Sequence, residues 1–576
     1  MFLRKATNKK NGRTYLSIVH GYYDKKAKNS KAKTIKSLGY LDVLEKEFDD
    51  PVAHFTEVAR QMNEEYKKEN APINLSINLS EKIDISTTNR KNFGYAALSK
   101  IYHELEIDKF LTNRQRHTNE EYSANSIMKL LVFARMLFPA SKRKTFNNKE
   151  MFFEKTNFTL DDIYRCLSLF NKYKEELQLW IHERIKEKYN RNTDLVYYDL
   201  TNYYFEIDEP DDMRKKGISK EKRSDPIIQM GLFIDDKGIP ISYKLFPGNT
   251  ADCSTLIPML SNIQRNYSLG RVIVVADRGV TSGDNIYYTL SAKNGYVLSY
   301  LVRGSAEKFK NYVLSDEGYM EKADGFKIKS RLEPREIWVT MTNGKKKKVT
   351  VHEKQVVFYS PKYALKARRD RENAIKKAKD LIRNPYKYNK SSAYGAAKYI
   401  KNLTFDSKTG ELLEDAKKAL YFNEEKLREE EKFDGYYALV TSEYKESDEK
   451  ILDIYRGLWK IEESFKVTKS DLEARPVYLS DIDHIDAHFL TCFISLVIAR
   501  LLEYRLKGEY SIPSILESLS KASCSHIKEN FYLFDYDDKL LEATGKELRI
   551  DFSKKFMQLK EIKKVLGSVK KLHLTL

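Results

Sequence analysis

The sequence predicts an α/β protein in which a mixed sheet is flanked by helices. Between residues 194 and 302, short apolar runs alternate with turn signals and helical spacing, in the order three strands, helix, strand, helix, strand. Two of these runs, Leu195-Val196-Tyr197-Tyr198 and Arg271-Val272-Ile273-Val274-Val275-Ala276, are each followed by an aspartate, Asp199 and Asp277. A third acid, Glu462, lies in a stretch from Leu458 to Lys469 that neither Pro nor Gly interrupts, which predicts a helix.

A chain of 576 residues is too long for one core, so about three or four domains are expected. An apolar content of 41% with 12% aromatics predicts a folded protein. The net charge of +19 and pI of about 9.2 point to a polyanionic partner, nucleic acid before a membrane surface. No apolar run reaches the roughly 18 residues of a spanning helix, and the N-terminus lacks a signal-peptide core. Cys166, Cys253, Cys492 and Cys524 lie far apart without metal-ligand spacing and read as free thiols of a cytoplasmic protein.

Residues 1–90 form a basic N-terminal module and a candidate DNA-binding unit, with Asn11-Gly12 marking a hairpin. Residues 91–190 read as helical, most clearly at 124–138, where apolar residues recur at helical spacing. The basic run Pro139-Ala140-Ser141-Lys142-Arg143-Lys144 reads equally as a DNA-binding region or as a solvated helix end. Residues 191–302 hold the five strands 195–198, 228–234, 241–246, 272–276 and 296–302. Asp236-Lys237-Gly238 is a hairpin turn, and a helix at 255–263 follows the third strand. Residues 303–440 read as a β-rich, charged insertion, with an Asn-Gly hairpin joining 337–342 to 345–352, a helix at 364–382 and a strand at 436–441. Residues 441–510 carry the Glu462 helix and a buried apolar helix at 489–502, and 511–576 read as a C-terminal helical region.

A carboxylate just past an apolar strand is held on a rigid element at the sheet edge. Taken singly, Asp199 and Asp277 read equally well as turn or cap residues. Together with Glu462 they make three carboxylates from two strands and a helix, a set that can hold two Mg²⁺ ions about 4 Å apart. An all-oxygen donor set suits Mg²⁺ or Mn²⁺ and not Zn²⁺. At about 3.6 residues per turn, Tyr455, Glu462, Lys466 and Lys469 share a face, an acid for a cation with neighbours for a phosphate. The remaining acids are weaker candidates. Asp235 and Asp236 sit in a turn, Asp194 starts a strand, Asp252 reads as a helix N-cap, and Glu463 points away from Glu462. There is no Gly-x-Ser-x-Gly, no Cys/His pairing and no Walker lysine loop, and His484 with His488 reads as structural.

With these motifs in this order, the chain resembles a DDE-type bacterial insertion-sequence transposase of the insertion-sequence-four-like group. Tyr198-Asp199-Leu200-Thr201-Asn202 resembles the first-acid motif and Ala276-Asp277-Arg278-Gly279 the second. Tyr455, Glu462 and Lys469, seven positions apart in each step, resemble the Tyr-x2-Arg-x3-Glu-x6-Lys signature. Leu458 stands where the signature has Arg, and Arg456 or Lys460 is the candidate replacement for that charge. The resemblance implies an RNase H-like catalytic core interrupted by a β-rich insertion, with a small basic N-terminal β module and helical flanking regions. It implies Asp199, Asp277 and Glu462 as catalytic metal ligands for two Mg²⁺ or Mn²⁺ ions. Tyr455, Lys469, Lys466, Arg456, Lys460 and Arg278 are the implied DNA contacts. In relatives an aromatic residue of the insertion stacks on a flipped base, and Tyr437 is either that residue or a core aromatic.

The implied activity is cutting of transposon ends and joining to target DNA by two-metal phosphoryl transfer. The implied partners are terminal inverted repeats and target DNA, bound by a homodimer in the bacterial cytoplasm and nucleoid. Two other functions share the motifs, an RNase H-like DNA nuclease and a catalytically inactive transposase-derived DNA-binding protein. The intact acids argue against the inactive form, and the basic module and large insertion argue for the transposase.

Overall fold

The structure is a computed structural model that describes residues 1–8, 12–24, 29–69, 80, 82, 89–116, 118–217, 225–388, 393, 395–405, 411–413 and 420–571. The chain divides into two units, Met1–Ile85 and Ser86–Leu576. In the first, β1 (Phe2–Thr7), β2 (Thr14–Asp24) and β3 (Asn29–Tyr40) pair antiparallel in that order. Leu16, Leu44 and Phe55 form its small core, with Val52 and Val58 of the helix Pro51–Glu69 packed against them. Lys31, Lys33 and Lys36 of β3 are exposed. Asn11 of the expected hairpin turn lies outside the described residues.

The second unit opens with β4 (Arg90–Asn92), followed by helices that include Ala124–Leu137, Leu160–Lys172 and Lys174–Tyr189. The first of these starts at Ser123, whose hydroxyl accepts from the Ser126 amide, and is buried nearly all round. Its neighbour is the apolar helix Ile482–Arg505. That helix is long and apolar enough to cross a membrane by composition, yet 94% of its apolar window is buried inside the fold.

The central sheet starts with an antiparallel meander, β5 (Leu195–Tyr204), β6 (Ile227–Asp235) and β7 (Pro240–Pro247). On the other side of β5, β8 (Ile273–Ala276) and β9 (Gly295–Tyr300) run parallel to it. The helices Leu256–Asn266 and Gly283–Ser291 make the crossovers that parallel pairing requires. Along β5, Val196, Tyr198 and Leu200 face one core while Tyr197 and Tyr203 face the other. Burial on both faces explains why these strands read as near-continuous apolar runs.

Residues 303–440 add strands to this same sheet. β10 (Met320–Glu321), β11 (Lys327–Thr340) and β12 (Lys346–Tyr359) precede the helix Pro361–Arg383 and a small pair, β13 (Ile400–Lys401) with β14 (Tyr421–Phe422). β15 (Tyr436–Thr441) then pairs with β9 on one side and β12 on the other. The nine-stranded order is β10-β11-β12-β15-β9-β8-β5-β6-β7. The C-terminal region contains the helices Ile512–Lys521, Lys539–Leu548 and Leu559–Val569, but it is not purely helical. Its strands β16 (Ser523–Lys528), β17 (Phe531–Phe534) and β18 (Phe556–Gln558) join β4 in a second sheet. They are too short for their period to stand out in the sequence.

A buried ion pair fixes the start of β5 to the β6–β7 turn. Arg191 and Asp235 are fully buried and 2.9 Å apart. Arg191 also donates to the carbonyls of Ile239 and Pro240, and Asp235 accepts from the amides of Lys237 and Ile239. Burial, reinforced by the Arg191 charge, holds His182 down at about 3, so its Nδ1 is free to accept from the guanidinium at 3.1 Å. Removing one partner leaves an uncompensated buried charge, so Asp235→Ala is expected to cost about 3–5 kcal/mol. Chemical denaturation should show a midpoint at lower denaturant, and an unchanged midpoint would mean that the pair does not hold the turn.

Candidate active site

The parallel register of β5 and β8 sets Tyr198 opposite Ala276. One residue further on each strand stand Asp199 and Asp277, side by side at a strand spacing of about 4.8 Å. Alternation directs both to the face that carries Tyr197 and Val275. Asp277 directly follows β8, is exposed and precedes the short turn Arg278–Val280. Asp199 does not end its strand as expected. Pairing with β6 continues through Thr201, Asn202, Tyr203 and Tyr204, so Asp199 lies mid-strand. It is half-buried, and its carboxylate accepts from the Leu200 amide at 2.7 Å.

Glu462 comes from a helix laid across β5. The helix expected over Leu458 to Lys469 is two pieces, Trp459–Lys466 and a wider π turn Val467–Asp471, and a separate helix, Asp448–Arg456, precedes it. Gly457 sits between the two helices, where any side chain would run into the Tyr197 ring end. The Tyr197 hydroxyl donates to the Ile454 carbonyl at 3.1 Å. In the π turn the Leu472 amide bonds the Val467 carbonyl at 2.9 Å. Lys469 lies within this wider turn and not on the regular helix assumed for the expected shared face. Ile461, Ser464 and Phe465 are buried, while Glu462 and Lys466 are exposed.

Two lysines show how this segment lies along β5. The Lys460 ammonium bonds the Asp236 carbonyl and lies 6.0 Å from the Tyr197 ring centre. The Lys469 ammonium lies 5.5 Å over Tyr203. Asp199 falls between those tyrosines on the strand, and Glu462 between those lysines on the helix. The Tyr455 hydroxyl donates to Asp277 Oδ1 at 3.4 Å. Burial, then the Asp277 charge, push that phenol well above its usual range, so it stays a donor.

The other expected residues vary in setting. Arg278 is exposed beside Asp277. Arg456 pairs with Asp453 at 3.3 Å and lies 6.0 Å over Phe326. Leu458 is buried in the core, so no charge occupies the signature's Arg position. Tyr437 is 43% exposed, which rules out the core-aromatic reading. It stacks on Phe358 with centroids 5.7 Å apart and touches Tyr363 at 4.9 Å. Its phenol is close enough to act electrostatically on Tyr455.

Asp252, expected at or close to a helix N-cap, starts a 3-10 turn just ahead of the cap Thr255 and against the Asp277 segment. A Cβ on Gly279 would lie 3.2 Å from its Oδ2. The Pro247-Gly248-Asn249-Thr250 turn is the only sequence signal for this return to the sheet edge. His488 donates to the Ala474 carbonyl at 3.1 Å and His484 faces Ser168, both structural roles.

Among the described residues no three Asp, Glu, His or Cys side chains stand close enough together to hold a metal ion. The register makes a pair of Asp199 and Asp277, and Glu462 is not gathered onto it. The donor chemistry of the pair suits a hard cation. Because an outer hydrogen bond orients a ligating carboxylate, Tyr455→Phe is expected to weaken Mn²⁺ binding by about tenfold. Electron paramagnetic resonance titration with Mn²⁺ measures this, and an unchanged affinity would separate the phenol from any metal role of Asp277.

Residues 205–498, half of the chain, match the model of the transposase DDE domain. The match includes Asp277 and Glu462, and Asp199 lies just before it. Residues 3–73 match the N-terminal domain of IS1634 family transposases. No curated protein matches. Among solved structures, a piggyBac transposase synaptic complex with hairpin DNA aligns at 8% identity over 84% of this chain and 86% of that one, with a TM-score of 0.33. A Mos1 transposase paired-end complex with the left transposon end aligns at 15% identity over 42% of this chain and 66% of that one, with a TM-score of 0.13.

Proposed function

The chain belongs to the family of transposases with a DDE domain, and from that membership we propose how its residues divide the work of DNA transposition. It is an enzyme of DNA cleavage and strand transfer, and its family uses divalent metal ions. Asp199, Asp277 and Glu462 are the catalytic carboxylates in this reading. The observation that carries it is the β5–β8 register, which supports a fixed aspartate pair. Without a cation, three carboxylates at about 4 Å repel by roughly 4 kcal/mol per pair at an effective dielectric of 20. Glu462 therefore stands off until ions and DNA draw it in. When bound, Mg²⁺ or Mn²⁺ ions activate the attacking oxygen and stabilise the leaving one.

Strands β5 to β9, in the order β7-β6-β5-β8-β9, serve as an RNase H-like core. Residues 303–440 are its insertion, residues 1–90 a basic DNA-binding module, and residues 511–576 a flank of helices and short strands. Lys469, Lys466 and Arg278 hold phosphates near the acids, while Arg456 and Lys460 chiefly anchor the helix. Tyr437, stacked on Phe358, offers its exposed side to an unpaired base beside Tyr455. The protein acts as a homodimer on terminal inverted repeats and target DNA in the bacterial cytoplasm.

Asp199→Asn, Asp277→Asn and Glu462→Gln should each abolish cleavage of DNA carrying the repeats that flank the gene, with DNA affinity nearly unchanged. Gel assays and anisotropy titrations separate the two readouts. Undiminished cutting by any of the three, or in excess chelator, would refute this assignment.

The exposed run Lys345 to Lys348 on the β11–β12 hairpin tests the insertion's role. Replacing all four lysines with Ala should flatten the salt dependence of binding by about 0.9 per lost phosphate contact. An unchanged slope would mean that the hairpin does not touch DNA.

A further inference from the structure

A cavity of about 200 Å³ opens where the short helix Lys142–Asn147 meets residues 473–479, just past the π turn. Arg135, Lys142, Arg143 and Arg475 line it, with one acid, Glu473, and with Tyr478. Lys142 is only 6% exposed, and its ammonium donates to His488 Nδ1 at 3.2 Å. His488 spends its other nitrogen on the Ala474 carbonyl, so the ring is neutral. Burial, then the charges of Lys142 and Arg135, hold it well below its usual range. Among the described residues no carboxylate pairs with Lys142. Burial and the Arg135 charge bring its ammonium down to about 7, with only Cys492 opposing them. A buried cation without a counter-ion is costly, and an anionic ligand removes that cost.

The cavity is tied to the catalytic segment. Arg135 donates to the carbonyls of Leu472 and Glu473 at 3.3 and 3.1 Å, and to that of Ala140 at 3.0 Å. Arg475 lies 5.6 Å from the Tyr204 ring. Tyr204 is five residues beyond Asp199 on β5, about 17 Å along an extended strand. That is the rise of about five base pairs of duplex. Tyr478, 74% exposed, gives the mouth a flat apolar surface.

We propose that this cavity takes a phosphodiester of the bound DNA a few nucleotides from the scissile bond, with Lys142 as the buried cation and Arg143 at the rim. The proposal rests on the transposase reading and adds a contact outside its acids. A phosphate keeps Lys142 charged, so above pH 7 binding takes up a proton and affinity falls as pH rises. The groups facing Lys142 are Arg135, His488 and Cys492 from the long helices, Tyr164 from Leu160–Lys172, neighbouring Arg143, and Glu473 and Arg475 from the loop. His488 stays neutral through this range, so Lys142 carries the proton.

Anisotropy titrations of the full chain with DNA carrying the flanking repeats, across salt and from pH 6.5 to 8.5, test this. Lys142→Met and the exposed Arg143→Ala should each reduce the salt slope, by at most about 0.9 for the one phosphate they share. Lys142→Met should also abolish the fall in affinity with pH, and Arg143→Ala covers the case in which the buried variant does not fold. Wild-type binding with an unaltered slope in Arg143→Ala and in any folded Lys142→Met would overturn this proposal alone. A wild-type chain that binds no DNA would overturn the transposase reading with it. Heat stabilisation by inorganic phosphate that is lost in the variants, with DNA binding unchanged, would assign the cavity to free phosphate instead.

Discussion

The parallel pairing of β5 with β8 is the constraint on which the site depends. It is a backbone constraint, set by ladder hydrogen bonds, and it positions two aspartates through the register of their strands. Parallel strands are stable here because both faces of the sheet are covered, by the two cores that Tyr197 and Tyr198 separately enter. The Arg191–Asp235 pair pins the start of β5, and the Tyr198 hydroxyl bonds Thr255 at 2.8 Å from the opposite face. A one-residue slip of β5 would turn Asp199 into the Tyr198 core, so register and chemistry stand or fall together.

The third acid is held differently. Its helix is fastened to the sheet at Lys460 and at the Gly457 approach to Tyr197, whereas Glu462 itself is exposed. One half of the site is thus set by a ladder and the other by a docked helix with breaks on both sides. Such a division suits carboxylates that repel until a cation arrives. The π turn just beyond is a further irregularity, of a kind that concentrates at functional sites.

The strands of the central sheet were legible because burial on both faces leaves an apolar run that needs no partner to be seen. The Glu462 helix was legible to within a residue of its start, from the absence of breakers. What stayed hidden depended on long-range pairing. Asp199 looked terminal because the polar residues Thr201 and Asn202 break the apolar run, yet β6 pairs with them. The π turn has no sequence signature, so Lys469 was placed on an ideal helix. Asp252 reaches the site only through the return of β7 to the sheet edge. The basic run at 139–144 had two open readings, and the structure divides it, burying Lys142 and exposing Arg143 and Lys144.

That division bears on how a net charge of +19 serves an acidic site. In the proposed reading the carboxylates repel the phosphates they act on, and solvent-exposed lysines far from them are screened within about 10 Å at 0.1 M salt. Long-range attraction therefore brings DNA to the protein but does not seat a phosphate beside Asp199 and Asp277. Seating needs cations held close and partly desolvated, where screening is weak. Lys469 over the Tyr203 ring meets that condition beside the Glu462 helix, and Lys142 meets it more fully near the far end of the same strand. Burial without a counter-ion lowers the pKa of Lys142 in the free protein, and in the proposed site an arriving phosphate favours its charged form. In the proposed reading the acids meet their counter-charge in a cation and this lysine meets its own in a phosphate, so each unbalanced charge of the free protein is matched only on assembly.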